Sequence, residues 1–421
     1  MFQPQITGNG SIGKTAGNLE MNTRKDITAE AAVVGGGPAG LVSALALTAA
    51  GVETVLVAPA APEDHRTTAL LTGSVAAIAT LGVWNACIPH AAPLTAIRII
   101  DDTGRLLRAP EVVFKAAEIG LEAFGYNIEN RHLNAALRAR AAALKLPHIS
   151  AAALAIESDA AGATIKLPDG EVRTRLVIGA DGARSLCRDA AGVGSQRRNY
   201  PQTALTLNLA HVRPHHDTST EFHTEQGPFT LVPLPGQRSS LVCVLDPASA
   251  ERLAGMNERE LSFEIERRAH SLLGKVTVEQ GRGLFPLAVE TTTAFARGRI
   301  ALVGEAAHVV PPIGAQGLNL GFRDAATIAE LAADARRRHL DIGAPSFLAR
   351  YHTQRLADVA SRTVAIDLLN RSLLTDFLPA QGARGLSLFL VDHIGPLRRA
   401  LMREGVTPAA SQPRLMRGEM V

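Results

Sequence analysis

The chain is poor in aromatic residues, and its charges nearly cancel. Only 4% of its 421 residues are aromatic, and no stretch interleaves them with basic residues, as a platform for stacking nucleic-acid bases requires. Lysine and arginine number 43 against 40 acidic residues, a formal charge of +3. So small an excess gives no electrostatic footprint for nucleic acid, and we expect no such partner.

Cysteine is scarce as well. Cys87, Cys187 and Cys243 are odd in number and lie far apart, which excludes a disulfide framework and a zinc site built on paired cysteines. Unpaired cysteines suit a reducing compartment, so we expect a cytoplasmic protein. Histidines cluster at positions 211, 215, 216 and 223, but Pro214 interrupts them. We interpret that cluster as a polar loop and expect no metal.

A secretory signal is missing from the polar, glycine-rich residues 1–26, which we interpret as a flexible leader. Residues 8–15 of this leader match the phosphate-binding pattern G-x-x-x-x-G-K-[ST]. No buried strand precedes the match and no clear helix follows it, so a chance match is favoured over an ATPase. Residues 31–52 form one uncharged run, but the glycines near its start favour a turn over a membrane span.

The first strong motif lies in that run. Apolar residues 31–34 are followed by Gly35-Gly36-Gly37-Pro38-Ala39-Gly40, then by an apolar helical stretch and a second apolar strand at 55–57. In a G-x-G-x-x-G turn the first glycine allows the tight bend, the second lets the backbone approach a pyrophosphate, and the third allows helix packing. The context predicts a Rossmann-type α/β domain, without distinguishing NAD from FAD.

An acidic residue usually follows about 20 positions later and binds the adenosine ribose. Here the second strand ends in Ala58-Pro59 instead. Either Glu63 or Asp64 substitutes from the next loop, or backbone and water hold the ribose.

Two later segments also place a glycine and a carboxylate after a buried strand. Residues 176–178 lead into Gly-Ala-Asp-Gly at 179–182, and residues 299–303 lead into Gly304-Glu305 and a loop rich in proline and glycine. A helix follows each segment, which argues against a simple hairpin at the Asp-Gly pair. Ligands of open α/β sheets bind at such carboxyl ends of strands.

Four stretches carry a resemblance to a known family: the glycine motif, residues 65–70, the Gly-Ala-Asp-Gly segment, and Pro-Pro-Ile-Gly-Ala-Gln-Gly-Leu-Asn-Leu-Gly at 311–321. From about residue 31 onward the chain resembles the FAD-dependent aromatic-ring hydroxylases with the p-hydroxybenzoate hydroxylase fold, and most of all the ubiquinone-biosynthesis hydroxylases. The resemblance implies a monooxygenase that uses FAD, NAD(P)H and dioxygen. The implied substrate is a polyprenylated phenol or quinol.

The resemblance also implies site residues. Asp181 would lie near both FAD and the nicotinamide route, and Glu305 would contact the ribityl chain where the family usually has Asp. The helix starting near Gln316 would stabilise negative charge on reduced flavin. No catalytic side chain is expected, because the flavin carries the chemistry, and His308 is expected to be structural. The implied cofactor contacts are Gly35, Gly37, Gly40, Arg66, Arg131, Asp181, Gly304, Glu305, Gly317 and Asn319. The implied ring-adjacent residues are Pro311, Pro312, Gly314, Gln316 and Gly317.

Alternating strands between these motifs predict a discontinuous, β-rich substrate domain. We assign residues 27–95, 119–200 and 285–343 to the FAD-binding domain, residues 96–118 and 201–284 to the substrate domain, and residues 344–421 to a helical C-terminal region. Cys243 falls where the family often has Trp, so a changed pocket wall is expected.

Leucines and arginines at helical spacing occupy residues 384–403. Packing on the protein's own core is favoured, and a basic amphipathic helix on the inner face of a membrane is the alternative. Its polar positions are Arg384, Arg398, Arg399 and Arg403, and its apolar positions are Leu386, Phe389, Leu390, Ile394, Leu397 and Leu401.

Two other functions stay open. The substrate could be a small soluble aromatic acid, which would need a cationic clamp for its carboxylate. The chain could also be a flavin-binding scaffold in a biosynthetic complex, without turnover of its own. A halogenase is disfavoured, because Trp84 is the single tryptophan and the expected Trp-x-Trp pattern is missing.

Overall fold

The computed structural model describes residues 25–60, 62–104, 110–312, 314–374, 394–406 and 412–421. The P-loop-like match lies outside these ranges, as does the predicted leader up to residue 24. The α-helices in these ranges are α1 (Pro38–Ala49), α2 (Thr72–Thr80), α3 (Trp84–Cys87), α4 (Asn130–Ala143), α5 (Leu186–Ala190), α6 (Pro247–Ala254), α7 (Glu258–Arg268), α8 (Gln316–Arg337), α9 (Pro345–Leu374) and α10 (Gly395–Val406).

The first sheet has a parallel centre. Its strands are β1 (Lys25–Val34), β2 (Thr54–Val57), β8 (His148–Ile149), β9 (Ala155–Ser158), β10 (Ala163–Leu167), β11 (Gly170–Gly179), β18 (Ala296–Arg297) and β19 (Ile300–Leu302). The spatial order is β18-β19-β11-β1-β2-β8, with β9 and β10 paired beside β11. Residues 31–34 and 54–57 are buried throughout, as expected for strands covered on both faces.

A second sheet of nine strands lies across the first. Its strands are β5 (Ala96–Asp101), β6 (Val112–Lys115), β12 (Ser195–His211), β13 (Thr218–His223), β14 (Pro228–Leu234), β15 (Arg238–Leu245), β16 (Val276–Val278), β17 (Gly283–Thr292) and β20 (His308–Val309). A small third sheet contains β3 (Thr67–Leu71), β4 (Ala91–Pro93) and β7 (Gly125–Glu129). β5, β6 and β12 to β15, which lie in the chain between the motif segments, all belong to the second sheet.

The predicted α/β class, with a Rossmann-type domain, a separate β-rich part and a helical C-terminal region, is confirmed. The domain boundaries remain predictions, although two of them fall inside strands. β12 runs through residue 200 and β17 through residue 285, and the two strands pair with each other. A register shift between Asn199 and Thr203 bends β12 around Pro201, which has no N–H to donate to the ladder.

Two apolar cores hold these layers. The larger surrounds the parallel sheet and its helices α1, α4 and α8, and the smaller lies between the second sheet and helices α6 and α7. Residues 31–52 form the end of β1 and helix α1 inside the larger core. Within the described residues no single helix is both long and apolar enough to cross a bilayer, although the bent pair Thr72–Thr80 and Trp84–His90 meets the length and composition required.

The histidine cluster is held by local hydrogen bonds. His211 Nδ1 lies 2.8 Å from the Arg213 carbonyl oxygen, and His211 Nε2 lies 3.0 Å from Ser239 Oγ. His223 Nε2 lies 2.8 Å from Glu221 Oε1. The part of the chain that the structure describes contains no group of three or more metal-binding side chains. All three cysteines are buried and unpaired.

Candidate flavin site

The three motif strands end at one edge of the parallel sheet, as predicted. β11 lies between β1 and β19, and both pairings are parallel. Beyond the strands, the Ala180 N–H donates to the Val34 carbonyl at 2.8 Å, and the Val303 N–H donates to the Gly179 carbonyl at 2.9 Å. The loops that follow the three strands therefore lie side by side.

The glycines of the first loop have three different environments. Gly35 has φ +123°, and a Cβ there would lie 2.1 Å from the Ala180 carbonyl oxygen. A Cβ on Gly40 would lie 2.0 Å from the Gly35 carbonyl oxygen, so α1 reaches the strand only because residue 40 has no side chain. A Cβ on Gly37 would meet no protein atom within 4 Å. The space above Gly37 is thus open for a ligand, while the other two glycines shape the turn.

This open space faces a helix end that is suited to phosphate. α1 begins with Pro38, its N-cap residue is Gly37, which has no side chain to cap the helix, and its first turn contains no acidic residue. The N–H groups of that turn are unsatisfied within the helix, and the helix dipole adds positive charge. A dinucleotide pyrophosphate fits this combination of open glycine and bare helix terminus.

The third loop packs tightly against the first. Gly304 has φ +62°, and a Cβ there would lie 3.2 Å from Ala39 Cβ and 4.0 Å from Gly321 Cα. Glu305 is exposed on this loop, lines the neighbouring cavity, and makes no hydrogen bond or ion pair within the described residues. Its carboxylate is therefore available to the hydroxyl groups of a ligand, and its contact with the ribityl chain stays a prediction.

Arg66 is held by a carboxylate that the sequence did not assign to it. Asp64 accepts hydrogen bonds from Arg66 Nε at 2.8 Å, Arg66 Nη2 at 2.7 Å and Asn130 Nδ2 at 2.9 Å. Burial favours the neutral carboxyl, but these hydrogen bonds outweigh burial and hold the pKa of Asp64 below its usual value. Asp64 therefore positions Arg66, which also lies over the Phe285 ring at 5.3 Å. Asp64 as a ribose ligand stays a prediction.

Arg131 carries an unsatisfied polar atom. Its Nη2 lies 3.0 Å from Glu129, whereas its Nε is buried and has no hydrogen-bond partner in the protein. Buried polar groups are nearly always paired in native proteins, so a ligand group next to α4 would complete the site. This orphaned donor fits the predicted contact between Arg131 and the cofactor.

Two predicted contact residues use their side chains within the protein. Asn319 accepts from the Leu71 N–H and Ser74 Oγ, and donates to the carbonyls of Ala69 and Ala315, at 2.6–2.9 Å. All four of its hydrogen-bonding positions are filled within the protein, so its side chain fixes the junction of β3 and α2. Its predicted contact with the cofactor stays a prediction.

The Asp181 carboxylate accepts from Ser185 Oγ at 2.6 Å and from the Cys187 N–H at 3.1 Å. It thereby holds the turn into α5. Its predicted place beside FAD and nicotinamide remains a prediction.

A cavity of about 430 Å³ joins these loops to the second sheet. Pro311, Pro312 and Leu318 line it on one side, and strands β12, β15 and β17 line it on the other. The sheet wall combines the apolar side chains of Val242, Phe285 and Leu287 with polar atoms from Thr206, Asn208 and Ser240. Leu207 and Leu241 border the same cavity, but their side chains pack in the smaller core on the other face of the sheet. Depressions of about 600 and 480 Å³ occur elsewhere, but no strand-end loop lines either one.

Cys243 does not line this cavity. It is 1% exposed and packs in the smaller core on the other face of β15, where burial raises the pKa of its thiol to about 12. The expectation that Cys243 changes the pocket wall is therefore wrong, because neighbouring residues of a strand point to opposite faces.

Sequence reasoning missed the charged residues that support the loops. Asp324 and Arg355 are buried and Asp358 is half-buried beneath the third loop. Arg238, on the second sheet, pairs with Glu129 on the third sheet and with Glu279 at 2.6–3.1 Å. One signal was available: Arg323-Asp324 interrupts an otherwise apolar stretch of α8. Charges inside such a stretch are buried only when they are paired.

Fold and site together define an FAD-binding protein in which a Rossmann-type domain faces a β-rich sheet. The family model described as "FAD binding domain" matches residues 28–366. The chain belongs to this family, and the prediction of FAD as cofactor is confirmed.

Curated relatives match over nearly the whole chain. Ubiquinone hydroxylase UbiL of Rhodospirillum rubrum is 33% identical over 99% of this chain and 99% of its own length. The 3-demethoxyubiquinol 3-hydroxylase of Escherichia coli is 31% identical over 89% of this chain and 97% of its own length. The predicted resemblance to ubiquinone-biosynthesis hydroxylases is confirmed.

Solved structures share the fold. The p-nitrophenol 4-monooxygenase PnpA of Pseudomonas putida has a TM-score of 0.74 at 21% identity, covering 91% of this chain and all of its own. A variant of HpxO of Klebsiella pneumoniae, solved in complex with FAD, has a TM-score of 0.73 at 20% identity, covering 91% of this chain and 99% of its own. The predicted hydroxylase fold is confirmed.

Proposed function

We propose that the chain is an FAD-dependent monooxygenase that hydroxylates the ring of a polyprenylated phenol or quinol in ubiquinone biosynthesis. The observation that carries the proposal is the cavity between the strand-end loops and the apolar wall of the second sheet. The two ubiquinone-pathway relatives that match almost end to end support the pathway. NAD(P)H is the proposed electron donor and dioxygen the oxidant.

The overall reaction balances as follows. Ring C–H, dioxygen, NAD(P)H and one proton give ring C–OH, NAD(P)⁺ and water. Bound FAD would supply the hydride acceptor and the activation of dioxygen that the hydroxylation needs.

The protein supplies binding, dryness and charge. Gly37 and the start of α1 would hold the pyrophosphate, and Glu305 and Arg131 would hold the ribityl chain and neighbouring polar groups. Val242, Phe285 and Leu287 keep water from the reacting ring. The start of α8 has no side-chain cap and no acid in its first turn, so its N–H groups can stabilise negative charge in the cavity.

The rival substrate, a small aromatic acid, is less well supported. Such an acid needs a cation in the pocket to pair with its carboxylate. Among the described residues that line the cavity, Arg66 is the one arginine, and no lysine occurs. Arg66 Nε and Nη2 already donate to Asp64, so this arginine is neutralised by a partner, and an uncharged, apolar ring fits the cavity better than an acid.

Substrate-stimulated oxidation of NAD(P)H tests the proposal. The purified protein should be yellow, with the absorption bands of oxidised flavin. A phenol with a short prenyl chain should stimulate NAD(P)H consumption and gain one oxygen atom from isotope-labelled dioxygen. Stimulation by phenolic acids alone would favour the rival substrate. Bound flavin with no coupled product for any phenol would favour the scaffold.

We further propose that the protein works in the cytoplasm, attached to the inner face of the membrane through α10. Leu397 and Leu401 on this helix and Ile394 directly before it are 39–50% exposed, beside the exposed Arg399. An apolar row flanked by a cation suits an interfacial helix. The double variant Leu397→Gln/Leu401→Gln should sediment less with vesicles that contain anionic lipid. Leu340→Gln, which replaces an equally exposed leucine elsewhere, should bind like the unmodified protein. Equal sedimentation of all three would refute the attachment.

A further inference from the structure

A network of buried charges lies beneath the third strand-end loop. Asp324, on α8, is fully buried. One carboxylate oxygen accepts from the Gly304 N–H at 2.9 Å and lies 2.7 Å from His308 Nε2, and the other accepts from Arg355 Nε at 2.6 Å. Asp324 thus fixes the loop that carries Glu305 to helices α8 and α9. His308 Nε2 therefore pairs with a buried carboxylate, and the structural role expected for His308 stays a prediction.

A second carboxylate extends the network. Asp358 accepts hydrogen bonds from Arg355 Nη1 at 2.6 Å, Arg323 Nε at 2.7 Å and Arg362 Nε at 3.1 Å. Arg362 Nη1 in turn donates to Gln316 Oε1 at 3.1 Å. Because Gln316 is the first residue of α8, the network ends at the first turn of that helix.

This network carries an excess of positive charge. Among the described side chains it contains three guanidinium groups, those of Arg323, Arg355 and Arg362, and two carboxylates. Burial favours neutral carboxyls, but the neighbouring arginines outweigh burial and hold the pKa of both Asp324 and Asp358 below the usual value. The carboxylates are therefore ionised, the arginines stay protonated at ordinary pH, and the side chains of Arg355 and Arg362 are 2% and 14% exposed.

The surplus charge is placed where it can act on the cavity. Leu318, in the first turn of α8, lines the cavity, while Arg362 contacts Gln316 in the same turn. A charge that is shielded from water acts over longer distances than a surface charge. The positive end of the α8 dipole points in the same direction.

We infer that the Arg323–Arg355–Arg362 network, through its net positive charge, raises the electron affinity of the flavin bound at the start of α8. A hydride from the nicotinamide donor carries two electrons and one proton, so the flavin ring system would gain one negative charge when it is reduced. The surplus positive charge of the network stabilises the negatively charged reduced flavin more than the oxidised flavin, which lacks this charge. The inference rests on flavin reduction in the proposed function and does not depend on which ring is hydroxylated.

The midpoint potential of bound FAD, titrated without substrate, tests the inference. Arg362→Gln removes one positive charge, so the ratio of reduced to oxidised flavin at a fixed potential should fall about tenfold, which is about 30 mV for a two-electron couple. Arg362→Lys keeps the charge and should stay close to the unmodified protein. Asp358→Asn removes a negative charge and should shift the potential in the opposite direction.

Shifts of the midpoint potential in opposite directions in these two variants distinguish a charge effect from structural damage. Loosened packing would move Arg362→Gln and Asp358→Asn in the same direction, and that result, or no shift in either, would overturn the inference. Should Asp358→Asn not fold, the pair Arg323→Gln and Arg323→Lys takes its place: the first removes a positive charge and must lower the ratio, and the second keeps the charge and must leave the ratio unchanged. An unmodified protein that binds no FAD would instead refute the proposed function.

Discussion

At the scale of single residues, the same residue type has different tasks within one motif. Gly35 and Gly40 are glycines because protein atoms occupy the place of a Cβ, 2.1 and 2.0 Å away. Gly37 is a glycine although no protein atom lies within 4 Å. The sequence predicted these tasks from the spacing G-x-G-x-x-G, because that spacing encodes one local backbone geometry.

This contrast gives a prediction for two alanine variants. Gly35→Ala should destabilise the protein without cofactor by about 1–3 kcal/mol or more, because it forces a Cβ into the Ala180 carbonyl at a positive φ. Gly37→Ala should leave that stability unchanged and weaken FAD binding at least about tenfold, since its methyl group would occupy the ligand's space. Thermal unfolding of the apoprotein and fluorescence titration with FAD measure the two effects. Equal loss of stability in both variants would contradict this account of Gly37.

For other residues, the sequence indicated a place in the site but not their hydrogen-bond partners. Asn319 was predicted as a cofactor contact. The structure shows that its side chain makes hydrogen bonds within the protein, among them those to Ala69 and Leu71, which lie about 250 positions away in the chain. Arg66 was predicted without Asp64 as its partner. A motif shows that a residue matters, whereas its hydrogen-bond partners depend on how distant segments meet.

At the scale of elements, helix α10 shows why a helical pattern leaves the orientation of a helix open. Residues 384–393 of the predicted amphipathic stretch lie outside the described residues. In α10, Arg398 is only 8% exposed, pairs with Glu118 at 2.7 Å and lies over the Phe114 ring at 4.6 Å. Arg398 is therefore not a membrane-facing cation. Met402, one turn later, is buried beside Phe124, so one face of α10 packs on the protein while Leu397 and Leu401 stay exposed.

Arg398 should hold α10 in place. Arg398→Ala removes the ion pair between a buried arginine and the exposed Glu118, together with a stacked contact, and should speed amide hydrogen exchange in residues 395–406 by about tenfold or more. Arg399→Ala, one position along on the exposed side, is the matched control and should exchange like the unmodified protein. The docking role would be wrong if both variants exchanged equally.

At the scale of the whole molecule, the cavity lies between two sheets with separate cores. β12 and β17 pair along their length across the predicted domain boundaries, and Asn208 donates to the His65 carbonyl at 3.3 Å across the cleft. The ligand space therefore has walls from both parts, and a bound cofactor would stabilise both.

Removing FAD should accordingly lower the unfolding temperature of the protein. With free FAD at about 100 times its dissociation constant, binding adds about 2.7 kcal/mol to the free energy of unfolding. Calorimetry of apoprotein and FAD-loaded protein measures the difference, with adenosine monophosphate in place of FAD as the control. Identical unfolding temperatures would show that the loops hold no flavin.

The sequence by itself determined the class of fold, the three strand-end loops and the cofactor, because each follows from short segments in which glycine spacing, buried strands and helix starts are encoded locally. Only the tertiary structure decided the direction in which Cys243 points, the burial of Arg398, the partners of Arg66 and Asn319, and the cation network under α8. These features depend on contacts between segments far apart in the chain, and composition or periodicity carries no record of which distant side chains meet.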